Sequence, residues 1–149
     1  MASIRKEIVI DTGIEPAWDA LRRVGEPHTL FAPVLTSAQI ANDIRTVHFA
    51  NGLTVREQIL DVDDERRRVA YVVLDSPGLT YHHASMQVDI AGPGRCAFVW
   101  ITDFLPAEAA PNLQLLIDSG SDALKRNLEQ AASTPRASAA QPGGSRAAR

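Results

Sequence analysis

Residues 44 to 59 constrain the fold more than any other segment, because their alternating pattern predicts a β-hairpin with a single acceptable register. The turn at residues 50 to 52 suits a three-residue connection with its glycine at a positive φ. In this register Val47 lies opposite Val55, and the apolar side chains of both strands share one face. A two-residue turn would instead place Val47 beside Arg56, so the longer connection is predicted.

The same register places a pair of opposite charges, Arg45 and Glu57, on the apolar face that must point to the interior. At about 4 Å and an effective dielectric constant near 20, the pair gains about 4 kcal/mol. Removing both ions from water costs a comparable amount, so stability alone explains the pair poorly. Two interpretations stay open: a structural cross-strand ion pair, or the polar end of an interior cavity.

The composition indicates one globular domain, which we assign to residues 1 to 131. Cys96 is the single cysteine, which excludes an internal disulfide. The first residues carry charges where a signal peptide would need apolar side chains, so we expect a cytoplasmic protein. No apolar run approaches the length of a membrane span, and we expect no membrane partner.

The charge distribution argues against nucleic acid as a partner. The formal net charge is −3, and all 18 acidic residues precede residue 132, whereas three of the 15 basic residues follow it. An acidic body cannot neutralise phosphates, on which affinity for nucleic acids depends. Residues 132 to 149 contain no large apolar side chain, so we predict a disordered tail. We expect a monomer or a homodimer.

The periodicity predicts a strand over residues 4 to 11, a helix that starts near Pro16 and ends at Gly25, and a second short helical piece before Pro33. About six strands follow up to Phe104. After Pro106 the period becomes helical again, and one apolar stripe contains Leu113, Leu116, Ile117, Gly120, Leu124 and Leu128. Gly120 inside this helix indicates close approach to the sheet. A helix laid across a curved sheet leaves space beside it for a ligand.

Several segments in this order resemble a known family: Ile14-Glu-Pro-Ala-Trp18, Arg45-Thr-Val-His-Phe49, Gly52-Leu-Thr-Val-Arg-Glu57, Val99-Trp100 with Phe104-Leu-Pro106, and Leu124-Lys-Arg-Asn-Leu128. Over residues 4 to 130 the chain resembles the START/Bet v 1-like (SRPBCC) superfamily, in particular its polyketide cyclase/dehydrase-like members. The resemblance implies an α+β helix-grip fold, in which a curved antiparallel sheet of about seven strands wraps around a long C-terminal helix. One or two short helices follow strand 1. Phe31 departs from the pattern, which has a tryptophan there.

The resemblance implies the fold better than the chemistry, because similar folds include lipid and hormone carriers, aromatase/cyclases and proteins without known activity. The leading hypothesis is a binding protein for a hydrophobic or aromatic small molecule of the polyketide, lipid or isoprenoid type. The alternative is a cyclase or dehydratase acting on a polyketide-like substrate. An acid/base enzyme would need two titratable groups that converge on one spot, whereas a carrier needs little more than one polar anchor.

His82 and His83 are adjacent on a predicted strand and face opposite ways. His82 shares its parity with Ala84 and Met86, so His82 should face inward, either as a hydrogen-bonded core histidine or as a pocket acid, base or donor. If the protein is an enzyme, His82 and Glu57 are the catalytic candidates.

Strand parity and the helix stripe together predict one ligand cavity. Its predicted ligand-binding residues are Arg45, Phe49, Glu57, Tyr71, His82, Met86, Trp100, Leu116 and Gly120. His28 and Phe31 are candidates for a gate at its mouth. We expect no metal and no cofactor, because the sequence has no His/Cys/Asp cluster with ligand spacing and no Gly-rich phosphate loop.

Overall fold

The computed structural model describes residues 2 to 133. Seven strands and three helices make up the fold: β1 (Ala2–Ile10), α1 (Ile14–Leu21), α2 (Pro27–Leu30), β2 (Leu35–Ala41), β3 (Ile44–Phe49), β4 (Thr54–Asp63), β5 (Arg68–Val73), β6 (Tyr81–Gly92), β7 (Arg95–Leu105) and α3 (Ala110–Ser133). A short 3-10 turn, Ala107–Ala109, leads into α3. Residues 134 to 149, where most of the predicted disordered tail falls, lie outside the described residues.

One antiparallel, curved sheet contains all seven strands in the order β1-β7-β6-β5-β4-β3-β2. Strands β2 to β7 form a meander, and β1 closes the order by pairing with β7 from Ala2–Phe104 to Ile10–Cys96. The predicted helix-grip fold, with two short helices after strand 1, is therefore confirmed.

The hairpin register is also confirmed. Arg45 pairs with Glu57 and Val47 with Val55, and the backbone N–H of Phe49 donates to the carbonyl of Leu53 at 2.8 Å. The glycine of the connection has a φ of 93°, which a residue with a Cβ rarely adopts. The three-residue connection therefore fixes which side chains of β3 and β4 face the core.

Helix α3 packs its apolar stripe against the inner face of the sheet, as its 3.6-residue period requires. Its buried residues are Leu113, Ile117, Gly120, Ser121, Ala123, Leu124 and Leu128. Gly120 marks a close approach to the sheet, since a Cβ there would lie 2.9 Å from the Cζ3 of Trp100 on β7. The missing side chain allows the helix to lie directly on the indole.

Helix α1 is shorter than its periodicity predicted, because it ends at Leu21 rather than at Gly25. The next side chain, Arg22, is bound by Asp64 in the turn between β4 and β5, with Nε–Oδ1 and Nη2–Oδ2 distances of 2.7 and 3.1 Å. Trp18 Nε1 also donates to Asp64 Oδ1, at 2.9 Å. These bonds hold α1 against the sheet and lower the pKa of Asp64, with the Arg22 hydrogen bond as the largest cause.

Candidate functional site

A cavity of about 90 Å³ lies between α3 and the inner face of the sheet. All nine predicted ligand-binding residues line it: Arg45, Phe49, Glu57, Tyr71, His82, Met86, Trp100, Leu116 and Gly120. The structure therefore brings together residues from five strands and one helix, and their role in binding remains a prediction. The lining also includes residues that were not among the predicted ligand-binding residues: Leu53, Val55, Thr102, Leu113 and Ile117.

The charged pair lies at the wall that β3 and β4 provide. Both Nε and Nη2 of Arg45 contact Oε1 of Glu57, at 2.8 and 2.7 Å, and the side chains are only 8% and 11% exposed. Arg45 Nη1 also donates to the carbonyl oxygen of Val24, at 3.0 Å, behind α1. Burial raises the pKa of Glu57, and the charge and hydrogen bond of Arg45 oppose that rise.

Tyr71 of β5 lies beside the pair, and the Arg45 guanidinium carbon is 5.1 Å from the centre of its ring. This distance fits a cation–π contact. Burial raises the pKa of Tyr71, and the nearby Glu57 carboxylate raises it further, so the phenol stays protonated. Tyr71 therefore offers a neutral hydroxyl rather than a phenolate to the cavity.

His82 of β6 lines the cavity, as its parity predicted. Burial lowers its pKa to about 4, with a smaller contribution from the neighbouring His83. The imidazole is therefore neutral at pH 7. Its buried Nδ1 has no hydrogen-bond partner among residues 2 to 133.

No acid/base pair forms between the two catalytic candidates. Glu57 is on β4 and His82 on β6, with β5 between them, so their backbones are about 10 Å apart. The carboxylate of Glu57 is engaged by Arg45, and no hydrogen bond or ion pair joins it to His82 in the described part of the chain.

The wall formed by β7 carries two polar atoms that have no hydrogen-bond partner in the described part of the chain, Trp100 Nε1 and Thr102 Oγ1. Thr102 is 1% exposed and Trp100 is 8% exposed. The indole N–H lies close enough to the Tyr71 hydroxyl to lower that pKa slightly, yet it lacks the geometry of a hydrogen bond. A signal for Thr102 existed in the sequence: it is the one polar side chain on the strand face that carries Phe98, Trp100 and Phe104.

Apolar side chains surround the mouth of the cavity. Phe49 and Leu116 are half-buried, and Leu53 in the β3–β4 connection is 36% exposed. Of the two gate candidates, Phe31 lines the cavity and packs on Trp100 with a centroid distance of 5.7 Å, whereas His28 is not among the lining residues. The predicted gate therefore reduces to Phe31.

Within residues 2 to 133, no group of three or more His, Cys, Asp or Glu side chains is placed to hold a metal ion. None of the described helices combines the length and the hydrophobicity needed to cross a membrane. The expected cytoplasmic location and the oligomeric state remain predictions.

The family model described as "Polyketide cyclase / dehydrase and lipid transport" matches residues 1 to 129. The chain belongs to this family. The resemblance inferred from the sequence motifs is thereby confirmed. A search of curated proteins finds no significant match.

Several solved structures share the fold at low identity. An uncharacterized protein from Bacillus thuringiensis is 19% identical with a TM-score of 0.77, and the alignment covers 85% of this chain and 98% of that one. The Zhui aromatase/cyclase from a Streptomyces species is 17% identical with a TM-score of 0.73, over 88% and 93% of the two chains. A START superfamily protein from Mycobacterium smegmatis is 12% identical with a TM-score of 0.71, over 86% and 97%. These likenesses support the fold.

Proposed function

We propose that this protein binds a hydrophobic or aromatic small molecule, of the polyketide, lipid or isoprenoid type, in the cavity between α3 and the sheet. The observation that carries the proposal is a mostly apolar cavity with buried polar groups placed on two of its walls. Apolar walls supply affinity, and a few fixed polar groups supply orientation, which is the usual composition of a ligand site.

The volume of the cavity limits what enters without rearrangement. At about 90 Å³ it is smaller than the engineered cavity of about 150 Å³ that binds benzene. Even a single-ring ligand therefore requires movement at the mouth, where Phe49, Leu53 and Leu116 are more exposed than the core residues. Rotation of these side chains would widen the entrance without breaking the sheet.

The second candidate function is a polyketide cyclase or dehydratase. His82 favours it, because a neutral imidazole with a free nitrogen on the cavity wall could accept or deliver a proton. Its folded-state pKa of about 4 makes it a weak base, and Glu57 does not reach it. Binding without turnover is therefore the better-supported function, with catalysis by His82 as the alternative.

The test compares two neighbouring leucines of α3. Leu116 lines the cavity, whereas Leu115 is 68% exposed and points away. Leu116→Trp should fill the mouth, and Leu115→Trp adds the same indole outside it. The probe is N-phenyl-1-naphthylamine, a neutral dye whose emission rises in apolar surroundings.

We expect the unmodified protein and Leu115→Trp to bind the dye with micromolar affinity, about −8 kcal/mol, and Leu116→Trp to bind at least about tenfold more weakly. Native mass spectrometry of freshly purified protein should also detect a co-purified small molecule. Absence of dye binding, or equal losses in both variants, would overturn the proposal. Consumption of a polyketide-like substrate that stops in His82→Gln would favour the enzyme instead.

A further inference from the structure

Buried polar atoms without partners are concentrated in the cavity. Of the five such side-chain atoms found in residues 2 to 133, three belong to cavity-lining residues: His82 Nδ1, Trp100 Nε1 and Thr102 Oγ1. A buried donor or acceptor without a partner costs free energy, so native structures contain few of them. Their concentration on one wall indicates that something else completes their hydrogen bonds.

The register places these atoms on adjacent strands of one surface. Trp100 and Thr102 are two residues apart on β7 and project from the same face. On β6, His82 and Ala84 project from that face too, and Ala84 pairs with Thr102. The methyl group of Ala84 cannot hydrogen-bond, so it gives the buried hydroxyl of Thr102 no partner on the side of β6. The wall is thus a polar patch that neighbouring side chains do not satisfy.

The other tryptophan, Trp18, shows that a buried indole N–H in this fold can find a hydrogen-bond acceptor. Trp18 is 4% exposed, and its Nε1 donates to Asp64 Oδ1 at 2.9 Å. The indole of Trp100 is similarly buried, but its N–H lacks hydrogen-bond geometry to the nearby Tyr71 hydroxyl and finds no other acceptor within residues 2 to 133. Burial alone therefore does not explain an unpaired indole N–H.

The hydrogen-bond donors of the patch determine which chemical group of a ligand can bind there. An indole N–H only donates, and a threonine hydroxyl can donate as well. Both atoms lie in an apolar surrounding that disfavours a carboxylate, and Arg45 across the cavity is already paired with Glu57. The matching group is a neutral oxygen acceptor, either a carbonyl or a hydroxyl.

We propose that Trp100 and Thr102 form a hydrogen-bonding subsite for a carbonyl or hydroxyl oxygen of the ligand. The ligand is then an oxygenated ring compound rather than a hydrocarbon or a carboxylate. This inference rests on the proposed binding function and adds the chemical class of the bound group. The Trp100 N–H and the Thr102 hydroxyl donate to that oxygen, while the apolar walls hold the ring.

Two probes of equal shape separate this subsite from general hydrophobic binding. Acetophenone and α-methylstyrene differ only by a C=O in place of a C=CH₂. We expect acetophenone to bind about tenfold more tightly or better in the unmodified protein, measured by NMR titration. Thr102→Val should reduce this ratio about threefold or more and leave α-methylstyrene unaffected. Thr46→Val, on the outer face of β3, is the matched control and should keep the ratio.

The indole N–H resonances give a second readout in the unmodified protein. Addition of acetophenone should shift the Trp100 signal downfield and leave that of Trp18, which is already bonded to Asp64, in place. Trp100→Phe assigns the two signals. Equal affinities for the two probes, or a Trp100 signal that acetophenone does not move, would overturn the subsite and leave the binding function standing. Failure of both probes and of the naphthylamine dye to bind would overturn the binding function itself.

Discussion

Removal of one partner of the Arg45–Glu57 pair should destabilise the protein far more than removal of both. Each single change, Arg45→Met or Glu57→Leu, leaves a buried charge without compensation, which costs about 3 to 5 kcal/mol. We expect the larger loss for Arg45→Met, because it also deprives the Val24 carbonyl of its donor at 3.0 Å. The double variant should lie within about 2 kcal/mol of the unmodified protein.

The magnitude follows from the geometry of the pair. Two nitrogen–oxygen contacts of 2.7 and 2.8 Å join side chains that are 8% and 11% exposed, so water replaces little of what is lost. The coupling energy in the double-mutant cycle should therefore be at least about 4 kcal/mol, above the usual range for contacting residues. Urea unfolding followed by circular dichroism measures it, and each single change should lower the thermal midpoint by about 10 °C.

The stability loss caused by Arg45→Met should also depend on pH, in a direction that the pKa of Glu57 determines. Burial already raises the pKa of Glu57, and without Arg45 nothing opposes that rise. When a carboxyl has a higher pKa in the folded than in the unfolded state, its protonation favours folding at pH values below the unfolded pKa. This contribution to stability is lost as the pH rises through the folded-state pKa. The penalty of Arg45→Met should therefore be smaller near pH 5 than near pH 8. Single penalties that add in the double variant, or that do not change with pH, would show that water solvates the pair.

Three further outcomes follow from the cavity walls. The pKa of His82 is about 4 when folded and about 6.5 when unfolded, so the unfolded chain binds more protons between these values. Acidification from pH 7 to 4 should therefore cost up to about 3 kcal/mol of stability. His82→Gln should flatten this part of the profile, and identical profiles would contradict it. Gly120→Ala should lower the thermal midpoint, since a Cβ 2.9 Å from the Trp100 ring costs more than the helix gains; a higher midpoint would show that the indole relaxes. Thr102→Val should stabilise the protein by about 1 kcal/mol, seen in urea unfolding, and a loss would reveal a paired hydroxyl.

The register of the β3–β4 hairpin could be predicted from the sequence because alternative registers differ by whole residues. A slip of one residue would turn Arg45, Val47, Val55 and Glu57 to the opposite face, so only one register agrees with the apolar pattern. The same parity rule placed His82 and Trp100 on the cavity wall. For residues on regular strands, the sequence was therefore sufficient to predict which side chains face the cavity.

The end of α1 and the volume of the cavity were not predictable in this way. Val24 continues the helical spacing of Trp18 and Leu21, but its carbonyl accepts from Arg45 of β3, and Arg22 is held by Asp64. Both contacts join residues far apart in sequence, and periodicity carries no signal for them. The cavity volume depends on how closely α3 lies against the sheet, which the packing of whole side chains decides.

The cavity gathers features that a core selected for stability alone would lack. A buried ion pair and two polar atoms on β7 without hydrogen-bond partners in the described residues each cost stability compared with an apolar replacement. All of them face the same 90 Å³ space, while the opposite end of the core, around Ile10, Cys96 and Phe98, is apolar and fully buried. Local departures from stable packing are expected where function requires them. Their concentration around one cavity supports the proposal that this space holds a ligand and is not left by imperfect packing.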